Sequence, residues 1–224
     1  MSNPTLNRSI RRTVCAALAA AALAAGLSAC APLIVGGAVV GGVMAVDRRT
    51  AGTQVEDEGI ELRAVNRIRE VLGDRGHVNV TSYNRQALLT GEVPNAQDRQ
   101  AVEQIVSQVE NTRSVVNDLA VMPASSLSQR SNDTFITGKV RASLVDAQDI
   151  SANSFKVVTE RNIVYLMGRV SQREANRATE ITRGVSGVSK VVRVFEIVSE
   201  EELARIAPKP APVTTDGNGA PPRN

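Results

Sequence analysis

The sequence predicts an α+β fold made of two tandem copies of one unit. Each copy is ordered helix, strand, strand, helix, strand, with both helices packed on one face of a three-stranded mixed sheet. Three observations predict it. Residues 57–123 and 131–198 repeat one another: Leu89-Thr90-Gly91-Glu92-Val93 returns 77 positions later as Leu166-Met167-Gly168-Arg169-Val170. Val102, Ile105, Val109, Val115 and Val116 return 76 positions later as Ala178, Ile181, Val185, Val191 and Val192, so one residue is lost in the turn between the blocks. Apolar residues at helical spacing open each copy, and period-two alternation follows.

The elements follow in order. Ile60, Ala64, Ile68, Val71 and Leu72 in the first copy, and Ile136, Val140 and Leu144 in the second, share one helical face. Val78 and Val80 then alternate with polar residues, Tyr83-Asn84-Arg85-Gln86 turns, and residues 87–93 return. In the second copy Phe155, Val157 and Thr159 alternate, Glu160-Arg161-Asn162 turns, and residues 163–170 return. Those spacings argue hairpins. A second helix is expected over about 96–110, with Ala101, Val102, Ile105 and Val109 inward, and over about 172–183; the last strands cover 114–122 and 188–198. Gly91 and Gly168 read as backbone turns before these helices. The sheet face away from the helices must meet water or a partner.

The flanks carry a different message. Arg8, Arg11 and Arg12 precede an apolar run over residues 14–25, and Leu27-Ser28-Ala29-Cys30 closes it. That pattern predicts a signal peptide over 1–29, its apolar run too short for a bilayer span, and Leu27-Ser28-Ala29-Cys30 resembles a bacterial lipobox. Cys30 is then the lipidated first residue of the mature chain. Ala31, where Asp would signal inner-membrane retention, implies outer-membrane sorting. Residues 30–56 read as the lipidated N-terminus and a juxtamembrane linker, with Gly36, Gly37, Gly41 and Gly42 too disruptive for a confident membrane helix. This stretch is expected to lie on lipid or to self-associate through small residues, and Arg48 and Arg49 to reach anionic headgroups. Residues 124–130 form a linker. Residues 199–224 hold five of the nine prolines and are expected to be disordered.

Composition removes whole classes of function. Three of the 26 basic residues lie before Cys30, which leaves 23 basic against 23 acidic residues and no general attraction to nucleic acid. Cys15 leaves with the leader and Cys30 carries lipid, so neither a disulfide nor a free thiol remains. With one histidine, the common Cys/His zinc sites cannot be assembled. His77 reads as a surface residue before a strand, and Asp57, Glu58 and Glu61 as acids complementing a helix start. The Gly36-Gly37 and Gly41-Gly42 pairs lack the following Lys-Ser/Thr of a phosphate loop. No catalytic residue, cofactor or metal is expected.

Charge divides the copies. Residues 57–123 hold 7 Arg against 10 acids, whereas residues 131–198 hold 10 basic residues against 7 acids. The second copy is the one suited to an anionic surface. If Ile136, Val140 and Leu144 face the core, then Phe135, Gly138, Lys139 and Ala142 lie away from it, with Arg141 flanking. An exposed aromatic beside two cations suits an anionic membrane interface.

Two tandem units of this order, each with a Leu-x-Gly before the second helix, resemble BON domains. Asp133-Thr134-Phe135-Ile136-Thr137-Gly138-Lys139-Val140-Arg141, the stretch from Leu166 through Val170 to Ala175, and Asp47-Arg48-Arg49-Thr50 are similar to the dual BON-domain outer-membrane lipoproteins. The resemblance covers nearly all of the mature chain except its proline-rich tail. It implies binding of anionic phospholipid, phosphatidylglycerol foremost, by the first helix of the second domain, here through Thr134, Phe135, Gly138, Lys139, Arg141 and Ala142. That family carries Trp where this chain has Phe135 and Thr where it has Gly138, exchanges that bear on the strength of binding and not on its place. It further implies a periplasm-facing outer-membrane lipoprotein that supports envelope integrity, reaches the division site, and has cell-wall amidase regulators or other envelope proteins as partners. The alternative is a periplasmic adaptor that binds an envelope protein or peptidoglycan through exposed sheet faces, with the anchor alone giving membrane attachment.

Overall fold

Two-residue hairpins organise both copies. Asn84 and Arg85, with φ of 51° and 64°, and Arg161 and Asn162, with φ of 51° and 60°, all lie in the left-handed region. That is the type I′ pattern, whose twist matches that of the strands it joins. The structure, a computed structural model, describes residues 47–206. The expected leader, Cys30, the glycine-rich segment up to residue 46 and the tail beyond 206 lie outside the described residues.

The order is α1 (Ala51–Leu72), β1 (His77–Tyr83), β2 (Gln86–Val93), α2 (Ala96–Ser107), β3 (Ser114–Asn117) and β4 (Ala120–Val121). The second copy gives α3 (Leu127–Asp146), a 3-10 turn (Ala152–Ser154), β5 (Lys156–Glu160), β6 (Ile163–Val170), α4 (Gln172–Arg183), β7 (Lys190–Ile197) and then α5 (Glu200–Ile206). In each copy the hairpin is antiparallel and the last strand runs parallel to the second, so both sheets are mixed, as expected. Ile60, Ala64, Ile68 and Leu72 of α1 and Val102 and Val106 of α2 pack on Ala87, Leu89 and Val93. Ile136, Val140 and Leu144 of α3 and Ala175 and Ala178 of α4 pack on Val164, Leu166 and Val170. Val71, expected inward, is 56% exposed because Leu72, one step round the helix, takes the core position.

The lost residue is Pro94. It stands between the end of β2 at Val93 and the helix cap Asn95, whereas Ser171 caps α4 directly after β6. The last strand of the first copy, expected to be continuous, is broken at Asp118-Leu119 without a change of register, since Gln86↔Ser114 and Glu92↔Ala120 share one offset. Leu119 turns into the helical core, and Asp118 turns the other way to accept a 2.6 Å bond from the Tyr165 hydroxyl.

A buried carboxylate from each copy's first helix holds its hairpin. Asp57 accepts from the N–H groups of Asn84 and Arg85 at 2.8 and 2.7 Å and from the Ser82 hydroxyl at 2.6 Å. Asp133 accepts from the N–H groups of Arg161 and Asn162, both at 2.8 Å. Capping is therefore not the role of Asp57: α1 begins at Ala51 behind Thr50, whose hydroxyl accepts from the Thr53 N–H, and Asp57 lies well inside the helix at 1% exposure. Glu61 likewise reaches away from the helix start, accepting from the Ser82 N–H at 2.8 Å and from Lys156 Nζ at 2.7 Å.

Gly91 and Gly168 also differ from the expected turns. Both lie within strands, where a Cβ would stand 2.0 Å from the His77 carbonyl oxygen and 2.3 Å from that of Ser154. The start of β1 in the first copy, and the 3-10 turn that leads into β5 in the second, approach too closely for any side chain. Helical structure also runs further than expected at three places. Residues 51–56 of the expected juxtamembrane linker belong to α1, which starts behind the Thr50 cap. Residues 127–130 of the expected linker belong to α3, because Ser126 and Gln129 form a capping box. Residues 200–206 of the expected disordered tail form α5, pinned by buried Leu203 and by Glu202 on Arg169.

The sheet faces turned away from the helices cover each other. Tyr83 and Leu88 of the first copy and Tyr165, Met167 and Val194 of the second form one buried cluster, with Val116, Val158, Ile163 and Val192 at its margin. Lys156 on Glu61, Asn79 on Glu160, and Asn84 and Arg113 on Glu196 rim it. The partner these faces required is the other copy.

Two measurements check this account. Gly168→Ala should cost about 3 kcal/mol in urea unfolding, as expected for a buried steric clash; a loss below about 1 kcal/mol would show that the strands separate freely. Burial pushes the Asp57 carboxyl up, but hydrogen bonds from Ser82, Arg85, Arg49 and Asn84 outweigh it and leave its pKa below the ordinary 3.8. A carboxylate depressed in the folded state stabilises above its unfolded pKa and loses that contribution as pH falls through the folded value. Asp57→Asn should therefore melt well below the parent chain at pH 7, with the gap closing below about pH 4. A gap independent of pH would show that the charge at 57 does not stabilise the hairpin.

Candidate functional site

α3 buries one face and leaves the other bare. Asp133, Ile136, Val140 and Leu144, at helical spacing, turn into the second copy. The opposite face carries Leu127, Ser131, Phe135, Gly138, Ala142 and Val145, all exposed and aligned along the helix. Leu127 is 79% exposed, Phe135 66% and Val145 69%, which makes a continuous ridge of apolar and small residues. Such alignment differs from scattered surface leucines, which need no explanation.

The residues expected from sequence take distinct places on this ridge. Phe135 stands at its middle. Gly138 sits beside it with open space where a Cβ would be, and Ala142 follows one turn later. The Lys139 ammonium lies 5.0 Å from the centroid of the Phe135 ring and donates to the Ser186 carbonyl oxygen. Arg141 is exposed on the flank. Thr134 is exposed but ties its hydroxyl to the Arg130 carbonyl oxygen at 3.0 Å, so it offers less to a ligand. A shallow groove opens beside the helix between Lys139, Ala142 and Ser143 on one side and Ile181, Val185 and Ser186 on the other. An ammonium at the lip of an apolar groove can meet a phosphate while alkyl groups lie along the ridge.

Leu127 and Val145 extend the ridge beyond the residues expected from sequence. Their signal was present, since both continue the spacing of Ser131, Phe135, Gly138 and Ala142. Leu127 was hidden by assigning residues 124–130 to a linker.

Arg48 and Arg49 do not serve as headgroup contacts. Arg48 makes a two-pronged bond to Glu174 at 2.8 and 2.7 Å and donates to the Arg169 carbonyl oxygen at 2.9 Å. Arg49 bonds Asp57 at 2.7 Å and Asp47 at 2.6 Å and stacks 4.3 Å from the Tyr83 ring centroid. Burial raises the Glu174 carboxyl, but Arg48 and the Ser171 amide hold it below its ordinary value. Adjacent arginines thus clasp both copies. His77, expected at the surface, is half-buried with Nδ1 3.4 Å from Glu92 Oε2. Among the described residues no helix is long and apolar enough to cross a membrane.

Comparison with known proteins places this architecture. The family model of the BON domain matches twice, at residues 63–123 and 132–199. The chain is 36% identical over 172 residues to "Outer membrane lipoprotein DolP" of Haemophilus influenzae, covering 76% of this chain and 89% of that protein. It is 33% identical over 155 residues to a protein named "21 kDa hemolysin" of Actinobacillus pleuropneumoniae, covering 68% of this chain and 80% of that one. A shorter match of 61 residues, 41% identical, links it to "Osmotically-inducible protein Y" of Escherichia coli, covering 27% of this chain and 30% of that one.

Proposed function

The chain belongs to the BON-domain family, and on that premise we propose that it is an envelope lipoprotein of the outer membrane whose second domain binds anionic phospholipid through the outer face of α3. Cys30 carries the lipid anchor, and the folded domains face the periplasm. Kinship with an outer-membrane lipoprotein supports the location. The single observation that carries the binding is the exposed ridge through Leu127, Phe135 and Val145 with Lys139 and Arg141 beside it. A helix that keeps large apolar groups in water along one line, next to cations, has the character of an interfacial helix.

The magnitudes suit a tethered protein. Burying Phe135 contributes about 2 kcal/mol, and each cation near an anionic surface about 1 kcal/mol. Such contacts are weak alone and sufficient once an anchor holds the domain at the bilayer, where effective concentration replaces affinity. Phosphatidylglycerol supplies the phosphate and the net charge. Concentrating the protein at membrane regions rich in anionic lipid, the division site among them, is how the binding would support envelope integrity. A non-enzymatic role fits a relative named as a lipoprotein and a site that is an open surface. The adaptor alternative loses the free sheet faces it relied on, since these are buried between the copies.

Co-sedimentation of residues 47–206 with vesicles tests the reading without an anchor. Binding should require phosphatidylglycerol and be absent on purely zwitterionic vesicles. Phe135→Ala and Lys139→Glu should each weaken it about tenfold, given the lost apolar area in one case and two units of charge in the other. Equal sedimentation with both vesicle types, or indifference to both substitutions, would return the adaptor to the front.

A further inference from the structure

The sheet-to-sheet contact contains a polar cluster that the lipid reading does not use. His77 and Glu92 face each other across β1 and β2, as directly paired residues of the ladder. Glu160, the last residue of β5, reaches the same place from the second copy. One ligand atom from each of the three lies within 4.8 Å of the others. Both carboxylates are buried, Glu92 at 1% and Glu160 at 3% exposure.

Their hydrogen bonds leave a gap. Glu92 Oε2 accepts from the Ser125 N–H at 3.0 Å, and Glu160 Oε2 accepts from Asn79 Nδ2 at 2.8 Å. Glu92 Oε1 and His77 Nδ1 are buried and have no hydrogen-bond partner. A carboxylate oxygen buried so completely, with no donor, is costly unless a cation compensates it. The nearby cation is Arg161, whose Nη1 stands 3.7 Å from Glu92 Oε1, beyond hydrogen-bond range, and turns to the Gly91 carbonyl oxygen at 3.4 Å and to Met122.

We propose that His77, Glu92 and Glu160 form a binding site for a divalent first-row transition ion that joins the two domains. One imidazole nitrogen with two carboxylates is a donor set for zinc and its neighbours, while calcium prefers oxygen alone. Metal-ligand bonds of about 2.0–2.2 Å around a tetrahedron hold ligand atoms about 3.4 Å apart. Ligand atoms spread over as much as 4.8 Å must draw together by about 1.4 Å at most to reach that spacing. His77 is 19% exposed at its side chain and supplies the route from solvent. Arg161 and the ion compete for Glu92. The sequence led to the expectation of no metal, because the common Cys/His zinc sites cannot be assembled from one histidine; this donor set instead joins that histidine to two carboxylates.

The chain's one histidine makes the test direct. The full chain, purified without a polyhistidine tag in detergent and stripped with chelator, is titrated with Zn2+ by calorimetry, and its imidazole resonances are followed as Mn2+ is added. One Zn2+ per chain should bind, thermal unfolding should move to higher temperature, and Mn2+ should broaden the His77 signals at substoichiometric amounts. His77→Asn and Glu160→Gln should each weaken Zn2+ binding at least tenfold, Arg161→Gln should tighten it severalfold, and Ca2+ should leave the histidine signals in place. His77→Asn and Glu160→Gln decide the matter even where Glu92→Gln fails to fold, because both must melt like the parent chain in chelator. Absence of saturable binding up to millimolar Zn2+, or binding unchanged in those two variants, overturns the proposal. An Arg161→Gln chain that binds more weakly than the parent overturns the competition argued for Glu92.

Discussion

A three-stranded sheet with both helices on one side has an apolar face left over, and the whole structure turns on where that face goes. Strands β2 and β6 lie at the centre of their sheets and are buried on both sides: Leu89 and Leu166 point to helices, while Leu88, Tyr165 and Met167 point to the opposite sheet. At about 25 cal/mol per Å2 of apolar area removed from water, side chains of this size make separation of the copies expensive. Two copies in tandem are thus one folding solution, each supplying the cover the other lacks. The rim is polar and charged, which fixes the register of one sheet on the other while the centre supplies the burial.

This mutual cover explains features that look local. The break between β3 and β4 lets Asp118 meet the Tyr165 hydroxyl, so a hydroxyl buried in the contact keeps a partner. Burial and the Asp118 carboxylate together push that hydroxyl's pKa well up, and it stays a donor at any physiological pH. Arg48 and Arg49 bind Glu174 of the second copy and Asp57 of the first, so the chain enters the folded region by tying both units. The Asp57 and Asp133 buttresses then position each hairpin against its own helix, which in turn sets the tilt of the face offered to the other sheet.

Periodicity made the order of elements readable, because helices and strands each bury one regular face: Ile136, Val140 and Leu144 lie where their spacing put them. What periodicity cannot report is a residue whose partner is distant in sequence. Asp57 read as a helix-start acid since its neighbours Glu58 and Glu61 are acidic, yet its partners are the amides of Asn84 and Arg85. The recurrence of an Asp at 57 and 133 was the available signal. Gly91 and Gly168 recurred too, but only the close approach of the His77 and Ser154 carbonyl oxygens gives the reason. Arg48 and Arg49 read as membrane cations from their place beside the expected anchor, and Glu174, the partner of Arg48, lies too far along the sequence to be foreseen. On α3 the bare face was readable from its core face, and its extension to Leu127 and Val145 depended on knowing where the helix begins and ends.

The repeat itself argues why the ridge sits on the second copy. Shifting the α3 ridge back by the repeat offset places Ser131 on Val55, Phe135 on Gly59, Gly138 on Leu62, Ala142 on Asn66 and Val145 on Arg69 of α1. Val55 and Leu62 are exposed there, so the outer face of α1 is not wholly polar. It lacks the aromatic, however, and its later turns carry an amide and a guanidinium where α3 has a methyl and a valine. Arg63, in the position of Lys139, bonds the Glu110 carbonyl oxygen, and Val65 replaces Arg141. The first copy also carries an excess of acids, the second an excess of bases. One scaffold therefore presents the same helix twice, on copies of opposite net charge and with an aromatic on the second alone. On the proposed lipid binding, an anionic bilayer would favour the second domain over the first, and the pair would sit with α3 toward the membrane.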